Sequence, residues 1–112
     1  MTGAVARRLE SIHEKGALSF SELAELLRTT PETVSRWRQG HRDPRPSAEK
    51  ELLQLDFFIE QLSELYDPPE ARQFLYSPQK LLNGQTPAEL IIQGKMGDVH
   101  RLVNQVRDAD YL

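Results

Sequence analysis

Apolar residues along this chain return at intervals of three and four, the period of an α-helix, and nowhere alternate with polar ones for a full strand length. The clearest case lies in residues 47–66, where Leu52, Leu55, Ile59, Leu62 and Tyr66 form one stripe and Leu53, Phe58 and Leu65 a second flank. So wide an apolar face is either covered by neighbouring helices or used as a dimer seam, and the pattern leaves both open. Near the end, Val99, Leu102, Val103 and Val106 share one face of a further helix.

Capping signals divide that pattern into separate helices. Ser19–Glu22, Asp67–Glu70 and Thr86–Glu89 each set an oxygen-bearing cap three residues before a glutamate able to reach back to it. In the last two a proline occupies the first helical position, where its missing N–H costs nothing; Thr30-Pro31 and Ser77-Pro78 repeat the cap-then-proline part. These marks predict helices over 4–15, 20–28, 31–39, 47–66, 69–76, 78–83, 87–94 and 97–108. Gly16, Gly40, Gly84 and Gly94 fall at or just past the proposed ends, where a left-handed residue closes a helix. The expected fold class is all-α, as one domain or two small helical modules sharing a core.

Two of these helices are short and adjoining. Phe20–Arg28 offers Leu23, Ala24 and Leu27 for burial, Pro31–Gln39 offers Val34 and Trp37, and only Thr29-Thr30 separates them. Helices so short cross steeply if a small residue such as Ala24 sits at the contact, which is the arrangement of a helix-turn-helix. Trp37 lies one turn after Val34 on the inward face and is expected in the core; a stacking or ligand role is the other use of a sole tryptophan.

Charge changes the picture at this point. The chain carries a net −3, yet residues 1–50 hold 9 Lys+Arg against 7 Asp+Glu, and residues 51–112 hold 5 against 10. Within the basic front, Arg36, Arg38, Arg42 and Arg45 crowd around the end of the second short helix. Thr33 and Arg36 lie opposite Val34 and Trp37, on the face a recognition helix turns to the major groove. Arg36 suits guanine O6 and N7, and Glu32 suits cytosine N4 while opposing nearby phosphates. Arg38, Arg42, Arg45 and His41 would meet the backbone, with Gly40, Pro44 and Pro46 fixing the loop. A solvated basic loop is the bland alternative.

The segments SELAELL and TTPETVSRWRQG resemble the helix-turn-helix of the Xre class, the lambda-repressor-like DNA-binding proteins. They keep that class's Glu-Leu-Ala start and its Val-Ser-Arg-Trp-x-x-Gly ending, with Arg28 where the motif usually has a turn glycine. The resemblance assigns Thr30, Glu32, Thr33 and Arg36 to positions that read bases or touch the backbone of operator DNA. Further along, Phe74, Ser77-Pro78, Leu81-Leu82, Pro87 to Leu90, Gly94, Val99 and the apolar positions through Val106 to Tyr111 resemble the toxin-binding domain of the Xre/MbcA/ParS antitoxins. Phe74 stands where many of those have tryptophan, and Asn83-Gly84 where they have Gly-Gly.

This resemblance implies a lambda-repressor-like module over 1–46, a connecting or dimerisation helix over 47–68, and a compact toxin-binding domain over 69–112. It also implies a partner, a RES-domain toxin that destroys NAD and whose NAD pocket the antitoxin's C-terminal segment occludes. Here that segment is Arg107, Asp108, Ala109, Asp110, Tyr111 and Leu112; its composition alone describes only a frayed terminus. A homodimer or a toxin–antitoxin hetero-oligomer is the implied assembly, and autorepression of the operon the implied second task.

The remaining chemistry is sparse. With no cysteine there is no disulfide, thiolate or zinc finger, and the chain suits a reducing cytoplasm. His13, His41 and His100 stand on separate elements without carboxylates at ligand spacing, so no metal site is expected. QGKMGD lacks the phosphate-loop pattern, and Asp108 and Asp110 read as tail acids rather than a catalytic pair. We expect no enzyme, no cofactor and no membrane segment. The competing functional class is a stand-alone Xre-type transcriptional regulator whose C-terminal part dimerises or senses a ligand; a third is a protein-binding module that has lost DNA affinity.

Overall fold

Seven α-helices appear in the computed structural model, which describes residues 3–109: α1 Ala4–Lys15, α2 Phe20–Leu26, α3 Pro31–Gln39, α4 Pro46–Ser63, α5 Pro68–Leu75, α6 Pro87–Ile92 and α7 Met96–Ala109. A single 3-10 turn at Lys80–Leu82 interrupts the link from α5 to α6, and no strand occurs among the described residues. Asp110, Tyr111 and Leu112 of the expected tail lie outside them.

The caps act as the residue types dictate. Ser19 accepts from the Glu22 N–H while Glu22 accepts from the Ser19 N–H at 2.9 Å, and Asp67 and Glu70 repeat the exchange. Thr30 accepts from the Thr33 N–H at 3.2 Å and Thr86 from the Glu89 N–H at 3.0 Å. Ser77 departs from expectation: its hydroxyl donates back to the Gln73 carbonyl instead of capping a helix over 78–83. The backbone of Gln79 is held extended by pairing with Gly84 and Gln85, so only the short 3-10 turn can form there.

Four helices end in one way. In α1, α2, α3 and α6, the N–H five residues on closes to a carbonyl of the last turn, around one left-handed residue. Gly40 at φ 76° and Gly94 at φ 80° fill that position as glycines should. After α1 it is Ala17, at φ 51°, that turns left-handed, not Gly16. Gly16 stays right-handed, and a Cβ there would stand 3.1 Å from both the Ile12 carbonyl and the Leu18 side chain. After α2 the left-handed residue is Arg28, at φ 57°.

The core runs through all three expected segments without a break. α4 lies at its centre, with Leu52, Leu55, Phe58, Ile59 and Leu62 buried against α1, α5 and α7. Leu9 and Ile12 of α1, Leu23 of α2, Val34 and Trp37 of α3, Leu75 of α5 and Val99 of α7 join the same cluster. Four ion pairs join residues 1–50 to residues 51–112 among the described residues: Arg8–Asp56, Lys15–Glu60, Arg28–Glu51 and Arg72–Glu22, and the last two reach backbone carbonyls as well. Arg72 of α5 grips both oxygens of Glu22 at 2.6 Å and donates to the Ala17 carbonyl at 3.1 Å, while Arg28 pairs with Glu51 and reaches the Ile92 carbonyl at 3.4 Å.

Candidate functional site

The turn between α2 and α3 sets which side chains of α3 reach solvent. With Val34 and Trp37 buried, the helical period leaves Glu32 and Arg36 exposed and Thr33 half-buried. Thr30 is exposed too, but its hydroxyl is engaged by the Thr33 N–H and hydroxyl. The loop that follows is pinned by the buried Pro44, which holds Arg42 and Arg45 outward on either side. α4 begins at Pro46 with no side-chain cap, so its first-turn N–H groups add a positive edge beside those arginines.

Part of this surface forms a groove: Thr33, Arg42, Arg45 and Ser47 line a recess of about 400 Å³ together with Arg28, Asp43 and Glu51, while Arg36 stands outside its lining. Arg36, Arg42 and Arg45 make no hydrogen bond or ion pair among the described residues, which leaves their full donor sets to a ligand. Arg38 is placed differently. Its guanidinium lies 3.6 Å from the Phe20 ring centre and donates to Glu10 at 2.8 Å, on the side of α3 that faces α1. Phe20 is stacked in turn on His13, at 4.3 Å, so Arg38 closes a column that fixes α1, α2 and α3 together.

At the other end, Arg107 pairs with Glu64 at 3.1 Å, which fastens the last turn of α7 to the end of α4. Asp108 and Ala109 are exposed beyond that fastening. Phe74 is partly buried and stacks on Tyr66 with ring centres 5.6 Å apart. His100 touches the rings of Phe57 and Phe58 and the Gln61 amide oxygen, and partial burial lowers its pKa. Among the described residues no group of three His, Cys, Asp or Glu is placed to hold a metal, and no helix is long and apolar enough to cross a membrane.

Two structural features escaped the sequence reading. The Glu22–Arg72 pair spans fifty positions, and nothing in either local motif announces the other. The exposure of Leu53 (40 %) and Phe57 (59 %) on α4 was equally hidden, because spacing alone does not tell which apolar flank its neighbours cover.

The described residues, helical and without a strand, thus present a groove lined by arginines and an exposed end of α7. No family model matches the chain. The chain is 24 % identical over 99 residues to the mycobacterial cidal antitoxin MbcA of Mycobacterium tuberculosis, with 88 % of each chain covered. It is 29 % identical over 91 residues to a second protein of that organism, named a probable mycobacterial cidal antitoxin, covering 81 % of this chain and 77 % of the other. A chain in the crystal structure of the M. tuberculosis MbcT–MbcA toxin–antitoxin complex has the same fold, with a TM-score of 0.83 over 96 % of both chains at 23 % identity. In sequence and in fold, the similarity runs to MbcA-type antitoxins.

Proposed function

We propose that this protein is an antitoxin that works by binding, neutralising a toxin partner through its C-terminal part and restraining its own transcription through α2 and α3. The observation that carries this reading is the likeness to MbcA, which runs along 88 % of both chains rather than over one shared module. The partner is a RES-domain toxin that consumes NAD. Arg107, tied to Glu64, gives the C-terminal segment a fixed point of departure. From there Asp108, Ala109, Asp110, Tyr111 and Leu112 enter the NAD pocket, the carboxylates meeting groups that hold pyrophosphate and the ring of Tyr111 filling a nucleotide-sized cleft.

The second task uses the groove. Glu32, Thr33 and Arg36 face base edges, Thr30 starts the helix that carries them, and Arg42 and Arg45 neutralise phosphates with help from the first turn of α4. Arg38 contributes by holding α3 at its angle to α1. The test is co-expression with a RES-domain toxin encoded beside this chain. The two proteins should purify together, and cells should keep growing. Toxin that kills at the same rate with or without this protein, and leaves it behind on purification, would refute the reading.

A further inference from the structure

The chain holds one Asn-Gly pair, Asn83-Gly84, and it closes the 3-10 turn Lys80–Leu82. Asn83 is left-handed at φ 57° and ψ 36°, a conformation that asparagine tolerates better than most residues. Its backbone is locked from both sides. The Asn83 N–H donates to the Lys80 carbonyl at 3.1 Å, the Gly84 N–H to the Gln79 carbonyl at 3.0 Å, and the Gln85 N–H to the Leu82 carbonyl at 3.1 Å. The Gln79 N–H then donates to the Gln85 carbonyl at 3.0 Å, so residues 79–85 form a closed loop anchored by the buried Leu82. Asn83 itself is exposed, at a recess of about 350 Å³ shared with Lys95, Asp98 and Arg101.

An asparagine before glycine carries its own reaction. The glycine nitrogen, with no side chain beside it to hinder approach, attacks the asparagine Cγ. The new N–Cγ bond closes a five-membered succinimide, and the side-chain nitrogen leaves as ammonia with the proton that the backbone N–H gave up. Water then opens the ring at either carbonyl, leaving aspartate or, with the backbone rerouted through the side chain, isoaspartate. No oxidant or reductant takes part. Here the fold blocks the first step. Ring closure needs the Gly84 nitrogen to eclipse Cβ about the Cα–C bond of Asn83, and at ψ 36° it stands almost opposite. Its N–H is also held by the Gln79 carbonyl. Both obstacles disappear together when the loop opens. We propose that Asn83 is a deamidation site gated by the 79–85 loop, protected while the loop is closed and exposed to an irreversible step at each opening. The isoaspartate product cannot return to the closed loop. It adds a carbon to the backbone, so the Gly84 and Gln85 N–H groups no longer meet the Gln79 and Leu82 carbonyls, and Leu82 loses its hold on the core.

Nothing in this chemistry depends on the toxin reading, and its test needs no toxin. The full chain is held in mildly alkaline buffer, with and without denaturing urea, and peptide mass spectrometry follows conversion at Asn83 and at Asn104. Asn104, followed by Gln105 in α7, is the internal control. In urea Asn83 should convert while Asn104 lags far behind. In native buffer Asn83 should convert at least about tenfold more slowly, because the reaction waits on opening. Leu82→Ala removes the anchor and leaves the Asn-Gly chemistry intact, so it should speed native conversion about tenfold. A urea series below the unfolding midpoint makes the same test on the unaltered chain, where conversion should quicken before the chain unfolds. Asn83→Asp adds the charge without lengthening the backbone and should unfold like the parent. Isoaspartate-bearing chain, collected by anion exchange after refolding, should unfold at a lower temperature. Equal rates at Asn83 in native buffer and in urea would overturn the inference, as would a folded Leu82→Ala chain no faster than the parent. Isoaspartate-bearing chain as stable as Asn83→Asp would show that the loop survives the change and equally overturn it.

Discussion

Arg28, Arg38 and Arg72 are bound into the protein, whereas Arg36, Arg42 and Arg45 are bound to nothing among the described residues. All six carry the same five donors, so the difference lies in what the fold places beside them. The first three face Glu51, Glu10 and Glu22 across helix boundaries; Arg28 and Arg72 tie the front of the molecule to the back, and Arg38 ties α3 to α1. The last three stand on a helix and a proline-pinned loop whose own acids, Glu32 and Asp43, form no ion pair with them among the described residues. Guanidinium groups left without an ion pair keep their donors for an anion from outside.

The sharpest way to break this contrast is at Glu22, which both closes a capping box and receives both arms of Arg72. Arg72's hydrogen bonds, against some opposing burial and with help from the Ser19 N–H, hold the Glu22 carboxyl at about 2, from an ordinary 4.5. Because the folded value is depressed, the stabilisation is complete above about pH 4.5 and is lost as pH falls towards 2. Glu22→Ala should lower stability by about 2–3 kcal/mol near neutrality, the pair's share being reduced by its contact with water. Glu22→Gln should flatten acid unfolding between those two pH values. A denaturation series against pH checks both.

On the unpaired side, Arg36→Ala should leave stability unchanged and weaken operator binding by about 1–3 kcal/mol, with relaxed preference at one base pair. Arg42→Ala should weaken all sequences alike and reduce the salt slope by about one ion. Arg38→Ala should instead show its effect in unfolding, by roughly 1 kcal/mol, through loss of the Phe20 and Glu10 contacts. Fluorescence anisotropy over a salt series, set beside thermal unfolding, separates the two classes. An Arg38→Ala protein with normal stability and a lowered salt slope would place Arg38 with the wrong group.

The smallest effect expected is a gain. Ala17 sits left-handed at φ 51° with no long-range tie of its own side chain to offset the strain, so Ala17→Gly should stabilise by roughly 0.5–1 kcal/mol. Arg28→Gly relieves the same strain but forfeits Glu51 and the Ile92 carbonyl, so it should gain nothing or lose. Chemical denaturation of the two variants in parallel measures the value of the Arg28 ties.

Local signals explain why so much of the helix layout was legible. Ser19, Thr30, Asp67 and Thr86 announce their helices because a cap and its N–H lie three residues apart, and Val34 and Trp37 are inward because spacing places them on one face. What depends on the return of the chain was not legible. The left-handed Ala17 goes with the Leu18 N–H closing on the His13 carbonyl, and the extended Gln79 with its pairing to Gly84 and Gln85. Similarly, Arg38 stands only two residues from Arg36 in sequence, yet α1 lies on its side of α3 and supplies Glu10. Composition made the two arginines look alike; neighbours made them different.

The central claim, that the chain neutralises a NAD-consuming toxin with its C-terminal segment, is tested most directly by removing Arg107–Leu112 and following two quantities: complex formation with the toxin and NAD loss with antitoxin in excess. Affinity in a protein interface comes mainly from buried apolar anchors, whereas a six-residue tail gives up about 1–2 kcal/mol of backbone entropy per residue as it docks. The full chain should stop NAD loss, and the truncated chain should still bind the toxin while NAD loss continues. A truncated chain that protects as well as the full one, or a full chain that leaves NAD loss unchanged, would contradict the account.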